Sequence, residues 1–260
     1  MGMSPEKLEL FLSENADIDK DGFCINKISG NRISACLPMH TFGHPVRIDE
    51  ISRICSKWNV AVIEDCAESL GSFYKGKHTG LYGTAGVLSF NGNKIITTGG
   101  GGAILTNDLM LGKHAKHLTT TAKVPHKWEF VHDEIGYNYR MPNLNAALGC
   151  AQLEKLERFI AIKRQIAEKY RLFFGTIGID FVWEPSDSVS NFWLNAIKLK
   201  DLSERNMFLE EMNSAGIGCR PIWRLMSRLE VYKNCIHGPL DVSMMLEERI
   251  VNIPSGVPAI

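Results

Sequence analysis

Residues 47–64 read RIDEISRICSKWNVAVIE. Apolar residues recur through 47–58 at three- and four-residue spacing, which predicts a helix with one buried face. VAVIE (60–64) follows, a short continuous apolar run of the kind carried by a strand buried on both sides. The same alternation continues outward. ISACLPM (33–39), AGVLSF (85–90) and GAILT (102–106) predict further strands, and NDLMLGKHAKHL (107–118) a helix capped by Asn107 with basic residues in its last turn. Strand, helix, strand with parallel-type apolar runs predicts an α/β sheet covered by helices on both faces.

From Pro142 to Phe174 the pattern changes to one long helix or two in tandem, opened by a proline. Beyond it FWLNAIKL (192–199) and IGCRPIW (217–223) predict strands, and SERNMFLEEMNSAG (203–216) a helix ending at a glycine C-cap. This predicts a larger unit over 1–150, then a linking helix and a small α+β unit over 151–260. Lys plus Arg equals Asp plus Glu at 29 each, so no charge excess favours nucleic acid or an anionic membrane. The seven cysteines are scattered without a CxxC pair, which argues against a disulfide framework or zinc site. No segment approaches ~18 uninterrupted apolar residues and no apolar leader opens the chain, so the expected compartment is the cytoplasm.

Open α/β sheets bind ligands beyond the carboxyl ends of their strands. Asp65 follows VAVIE, Ser89 lies near the end of VLSF, and Lys94 sits in the loop SFNGNKIITTGGGG (89–102). Pyridoxal-phosphate chemistry uses these three residue types. An unprotonated lysine forms an imine with the cofactor aldehyde, a carboxylate keeps the pyridine nitrogen protonated, and a hydroxyl donates to the phosphate. Gly99 to Gly102 allow either close passage of a ligand or a tight turn into GAILT. Neither GxxxxGK[ST] nor a strand-to-helix GxGxxG is present, which removes a nucleotide-phosphate loop.

GHPVRIDEI, VIEDCAESLGSFYKGKHTGLYGTAG, LSFNGNKIITTGGGG and DEIGYNYRMPNLNAALGCAQLEKL occur in this order. Together they resemble the DegT/DnrJ/EryC1/StrS family of PLP-dependent nucleotide-sugar aminotransferases, and most closely a branch acting in legionaminic-acid-type pathways. The resemblance implies a partial fold-type I large domain, mainly a parallel sheet flanked by helices, with a small C-terminal α+β domain. It implies that Lys94 is the Schiff-base lysine and Asp65 the partner of the pyridine nitrogen. Ala67 would lie under the ring, Glu68 reach the phenolic oxygen, and Ser89 bind the phosphate. Asn138 would reach the phosphate in a neighbouring subunit and Arg140 lie near the sugar nucleotide, so that a homodimer shares its active sites. Glutamate would donate the amine to a 4-keto-6-deoxy nucleotide sugar, with pyridoxal 5'-phosphate as cofactor.

The resemblance further implies that family members carry the first third of the large domain ahead of the position of Met1. The chain is therefore expected to be a fragment or truncated form, and a non-catalytic remnant or interaction subunit stays open as an alternative. His40 and His44 have zinc-like spacing, but Gly43 and Pro45 oppose a helix there; a substrate-facing loop fits better. Arg220 in GCRPIW is a further candidate for the sugar site, although a strand with a packed tryptophan also explains that segment. His114 and His117 suit the end of a helix.

Overall fold

A computed structural model describes residues 1–258. Its first sheet orders Ala35–Cys36, Ala61–Asp65, Ala85–Ser89 and Gly102–Leu105 side by side. The first three run parallel and the last returns antiparallel. The helix Ile48–Lys57 forms the crossover between the first two strands and buries Ile48, Ile51, Ile54 and Cys55. These pack with Leu12, Val60 and Val62. Full burial of each such aliphatic side chain contributes about 1.5–3 kcal/mol. The helix stops at Trp58, after which Asn59 takes a left-handed φ of 53° and turns the chain into the next strand. Because Ala61–Asp65 and Ala85–Ser89 are parallel neighbours, both end on the same edge of the sheet, which brings Asp65 and Ser89 together.

Several expectations need correction. GAILT forms a strand, but antiparallel to its neighbour, because the loop 90–101 brings the chain back without a helical crossover. Val87 and Ile104 are register partners and both exposed, so among the described residues the sheet is not covered on both faces. The helix after it spans Leu109–Thr119 and is capped by Asp108, not Asn107: Asp108 Oδ1 accepts from the N–H groups of Met110 and Leu111 at 2.8 and 3.1 Å.

The segment after Pro142 is two helices, Asn143–Leu153 and Leu156–Thr176, separated where Lys155 N bonds to Gln152 O in a tighter turn. A second sheet, wholly antiparallel, orders Arg220–Pro221, Ile250–Ile253, Asn195–Lys198 and Asp180–Phe181. IGCRPIW supplies only its two-residue edge, since Pro221 has no N–H for a longer ladder. The helix Leu202–Ser214 closes with Gly216 at φ 76°, the expected glycine terminus. Phe174, Ile197, Val251 and Ile253 form this unit's core, and Phe42, Ala196 and Ile250 join it to the first. Among the described residues no helix is long and apolar enough to cross a membrane, and the seven cysteines are free.

Candidate active site

Asp65 closes its strand with Oδ1 accepting from Ala67 N–H at 3.0 Å, which turns the chain sharply after the sheet. That turn delivers Glu68, 7% exposed, whose Oε2 accepts from Phe42 N–H at 2.7 Å. Lys94 reaches the same place from the neighbouring strand. Ser89 ends that strand, and Lys94 N–H bonds to Asn91 O at 3.0 Å in the following turn. The Lys94 Nζ then stands 4.0 Å from Glu68 Oε1 and 4.1 Å from the centre of the Trp193 ring. A carboxylate on one side and an aromatic face on another hold this largely buried amine.

Burial pushes the Glu68 carboxyl up to about 7, against the opposing effects of the Phe42 N–H and the Lys94 charge; the nearby Asp65 adds to the rise. Glu68 therefore exchanges its proton near neutrality, beside an amine that must lose one to become a nucleophile.

A buried polar network fixes these groups. Asn191 Nδ2 donates to Glu68 O and Leu70 O at 2.8 and 2.9 Å, while its Oδ1 accepts from Trp193 N–H at 2.8 Å. Ser72 and Ser190 hydroxyls both donate to Gly43 O, at 2.7 and 2.9 Å. Gly43 has φ 90°, and a Cβ there would lie 1.9 Å from Asn191 Oδ1, so only glycine lets the loop close on the asparagine. Trp193 Nε1 donates to Asn93 O at 2.7 Å, and its ring stacks on Trp223 with centroids 6.2 Å apart. The glycine run is a turn: Gly99 and Gly101 have φ of 80° and 89°.

His40 is not a substrate-facing group. It is 0% exposed, with Nε2 3.1 Å from Glu64 Oε2 and Nδ1 accepting from Val46 N–H at 3.2 Å. Its partner Glu64 also accepts from the backbone N–H of Gly80, Tyr82 and Gly83 at 2.7–2.8 Å. Cys66 lies near this pair, but its thiol is pushed up to about 12, chiefly by burial. The ring nitrogens of His44 have no hydrogen-bond partner among the described residues, and burial drives its imidazole down to about 4, leaving it neutral against Phe192.

Arg220 lies on the second sheet, its guanidinium donating to Asn213 Oδ1 at 3.0 Å and to Cys219 O at 2.9 Å. Asn138 and Arg140 are exposed and line a separate cleft of about 310 Å³ with Gly100 to Gly102. His114 and His117 pair with Glu134 and Asp133 at the surface.

The DegT/DnrJ/EryC1/StrS aminotransferase family matches residues 15–258, nearly the whole chain. The chain belongs to that family. EpsN of Bacillus subtilis (strain 168), assigned to the pyridoxal phosphate-dependent aminotransferases, is 37% identical over 259 residues, covering 98% of this chain and 64% of EpsN. GDP-perosamine synthase of Escherichia coli O157:H7 is 35% identical over 225 residues, covering 86% of this chain and 61% of the synthase. The chain thus spans about three-fifths of the length of these curated relatives. In fold it is similar to a DegT/DnrJ/EryC1/StrS aminotransferase from Brucella abortus, with TM-score 0.85 at 24% identity over 98% of this chain and 65% of that one.

In this family member, Glu64, Asn191 and Trp193 are structural discoveries. Glu64 alone had a readable signal, a carboxylate inside an apolar strand with no cation beside it in sequence.

Glu68 carries a stability signature. An unfolded glutamate loses its proton near 4.5, whereas folded Glu68 keeps it to about 7. Between these values the folded state binds more protons, so stability falls as pH rises, by about 3 kcal/mol at most. Urea unfolding at pH 5 and pH 8 reads this directly. Glu68→Gln is expected to flatten the decline and to be the more stable protein at pH 8 by about 2 kcal/mol.

Proposed function

We propose that the chain carries the catalytic lysine of a PLP-dependent aminotransferase, which moves the amine of glutamate onto a 4-keto-6-deoxy nucleotide sugar. The observation that carries this reading is the amine of Lys94, held 4.0 Å from Glu68 and 4.1 Å from the Trp193 ring centre beyond the strand that ends in Asp65. The donor set suits pyridoxal 5'-phosphate: a largely buried amine, an acid near neutrality, a strand-end carboxylate and the Ser89 hydroxyl. When bound, that cofactor supplies an electron sink for the carbon that loses its proton.

Lys94 would then supply the nucleophilic amine toward the cofactor aldehyde and the base that moves protons between carbons. Glu68, an acid near neutrality 4.0 Å from the amine, would reach the cofactor's phenolic oxygen. Asp65 has an oxygen left beyond the one bonded to Ala67, which would face the pyridine nitrogen, and Ala67 would lie under the ring. Ser89 Oγ, engaged among the described residues only by a 3.4 Å contact from Asn91 N–H, would be available to the phosphate.

Asn138 and Arg140 serve a neighbouring subunit in this reading. Their surroundings support a second copy as partner: Trp128, Phe130, Ile135, Tyr139 and Leu144 are all exposed, Ile135 and Leu144 by 84% and 86%, large apolar side chains that a partner surface would cover. The cation of Arg140 suits the diphosphate of a nucleotide sugar. Ile135→Asp with Leu144→Asp is expected to convert a dimer to monomer in sedimentation at micromolar concentration. A wild-type monomer under those conditions contradicts the shared site.

The test of the function is amino transfer from ¹⁵N-glutamate to a keto nucleotide sugar in the presence of pyridoxal phosphate. Labelled amino sugar that disappears in Lys94→Ala supports the assignment. No transfer to any nucleotide-linked keto sugar, with the fold intact, overturns it for this chain.

A further inference from the structure

Lys163, on the helix Leu156–Thr176, takes no part in the scheme above, yet it is 6% exposed and none of the described ion pairs includes it. Burial pushes its amine down to about 8, the sign of a site that makes a charge costly. An apolar side chain of similar length would fill the space without that cost. What the lysine adds is its donors. Nζ donates to Trp193 O at 3.0 Å and to Ser255 O at 2.6 Å.

Both acceptors lie at junctions. Ser255 Oγ accepts from Asn195 N–H and donates to Ile253 O, each at 2.7 Å, tying the end of one strand of the second sheet to the start of its neighbour. Trp193 touches the reactive loop twice: Nε1 grips Asn93 O, one residue before Lys94, and the ring lies against the Lys94 amine. Lys163 and Lys94 border one cleft of about 500 Å³, together with Gln152, Phe159 and Gly256.

We infer that Lys163 is a positioning residue: by holding the carbonyls of Trp193 and Ser255 it sets where the indole stands, and through the indole where the Lys94 amine stands. This deepens the proposed function and rests on its reading of Lys94 as the reacting amine.

Pulse acylation of lysines in the 260-residue chain, followed by peptide mass analysis, reads the effect without any cofactor. Lys163→Met is expected to raise labelling of Lys94 roughly three- to tenfold, as the loss of one or two hydrogen bonds frees the loop. Labelling of Lys57 on the far helix should stay constant, and Lys163→Arg should return Lys94 to within about twofold of wild type. Unchanged Lys94 labelling in a folded Lys163→Met protein overturns the proposal. If that variant does not fold, Trp193→Phe keeps an aromatic face and removes the grip on Asn93; unchanged labelling there overturns it equally. A chain that shows the labelling shift without transferring amine keeps the positioning role and loses the catalytic one.

Discussion

Replacing Lys94 by alanine is expected to lower amino transfer by roughly 10³-fold or more, the loss that follows if, as proposed, one side chain is both nucleophile and proton carrier. Arginine at this position keeps the charge and the contact with the Trp193 ring, but it stays protonated at any working pH, so Lys94→Arg is equally inactive. The comparison separates chemistry from charge balance. A steady-state assay of both variants at saturating pyridoxal phosphate reads it, and activity in Lys94→Arg within tenfold of wild type contradicts a nucleophilic lysine. The fold should survive either change, because among the described residues Lys94 Nζ makes only the 4.0 Å approach to Glu68 and the ring contact.

Removing Glu64 has the opposite character: it takes no part in the proposed chemistry, and its loss is expected to destabilise the fold. Its carboxylate is fully buried and accepts from three backbone N–H groups and from His40. Glu64→Ala leaves those donors without partners in a place water does not reach. At about 1–3 kcal/mol for each of the four orphaned groups the cost is roughly 4–12 kcal/mol, comparable to the whole stability of an ordinary domain. Glu64→Gln keeps the shape but turns an N–H₂ toward N–H donors, so it is expected to fall between alanine and wild type.

Acid tests the same clamp. Burial alone would raise the Glu64 carboxyl, but His40 and the N–H groups of Gly83 and Gly80 outweigh it and hold the folded value below the usual 4.5. Its contribution is complete above that value and is lost as pH falls through the lower folded one. Urea midpoints measured from pH 6 to pH 3 should therefore converge for wild type and Glu64→Gln at the acid end.

The strands that carry Asp65 and Ser89, and the crossover helix between Ala35–Cys36 and Ala61–Asp65, are legible because buried parallel strands are near-continuous apolar runs and the helix shows one clean face. Strand direction is not written in such runs, so GAILT reads the same whether it returns antiparallel or crosses over. Ile250–Ile253, the strand paired with two neighbours in the second sheet, is four residues long and buried throughout, too short to show a period. Asn107 and Asp108 are both competent caps, and only the geometry chooses between them.

The site divides in the same way. Lys94, Asp65 and Ser89 stand out from residue type and position at a strand end, whereas Glu68 enters only through the family resemblance. Gly43 and Ser190 meet across 147 positions of chain, and Trp193 meets Asn93 across 100, with nothing periodic to announce either contact. His40 misled because a histidine in a glycine-and-proline loop looks solvent-facing, whereas a buried carboxylate and the Val46 N–H consume both its nitrogens.

The proposed function requires Lys94 to be the amine that bonds the cofactor. Mixing the chain with pyridoxal phosphate, reducing with borohydride and mapping the peptides tests this directly. A single reduced phosphopyridoxyl group on the peptide containing Lys94 is the predicted result. Adducts scattered over surface lysines, or none at all, with Lys94 unmodified, would contradict it.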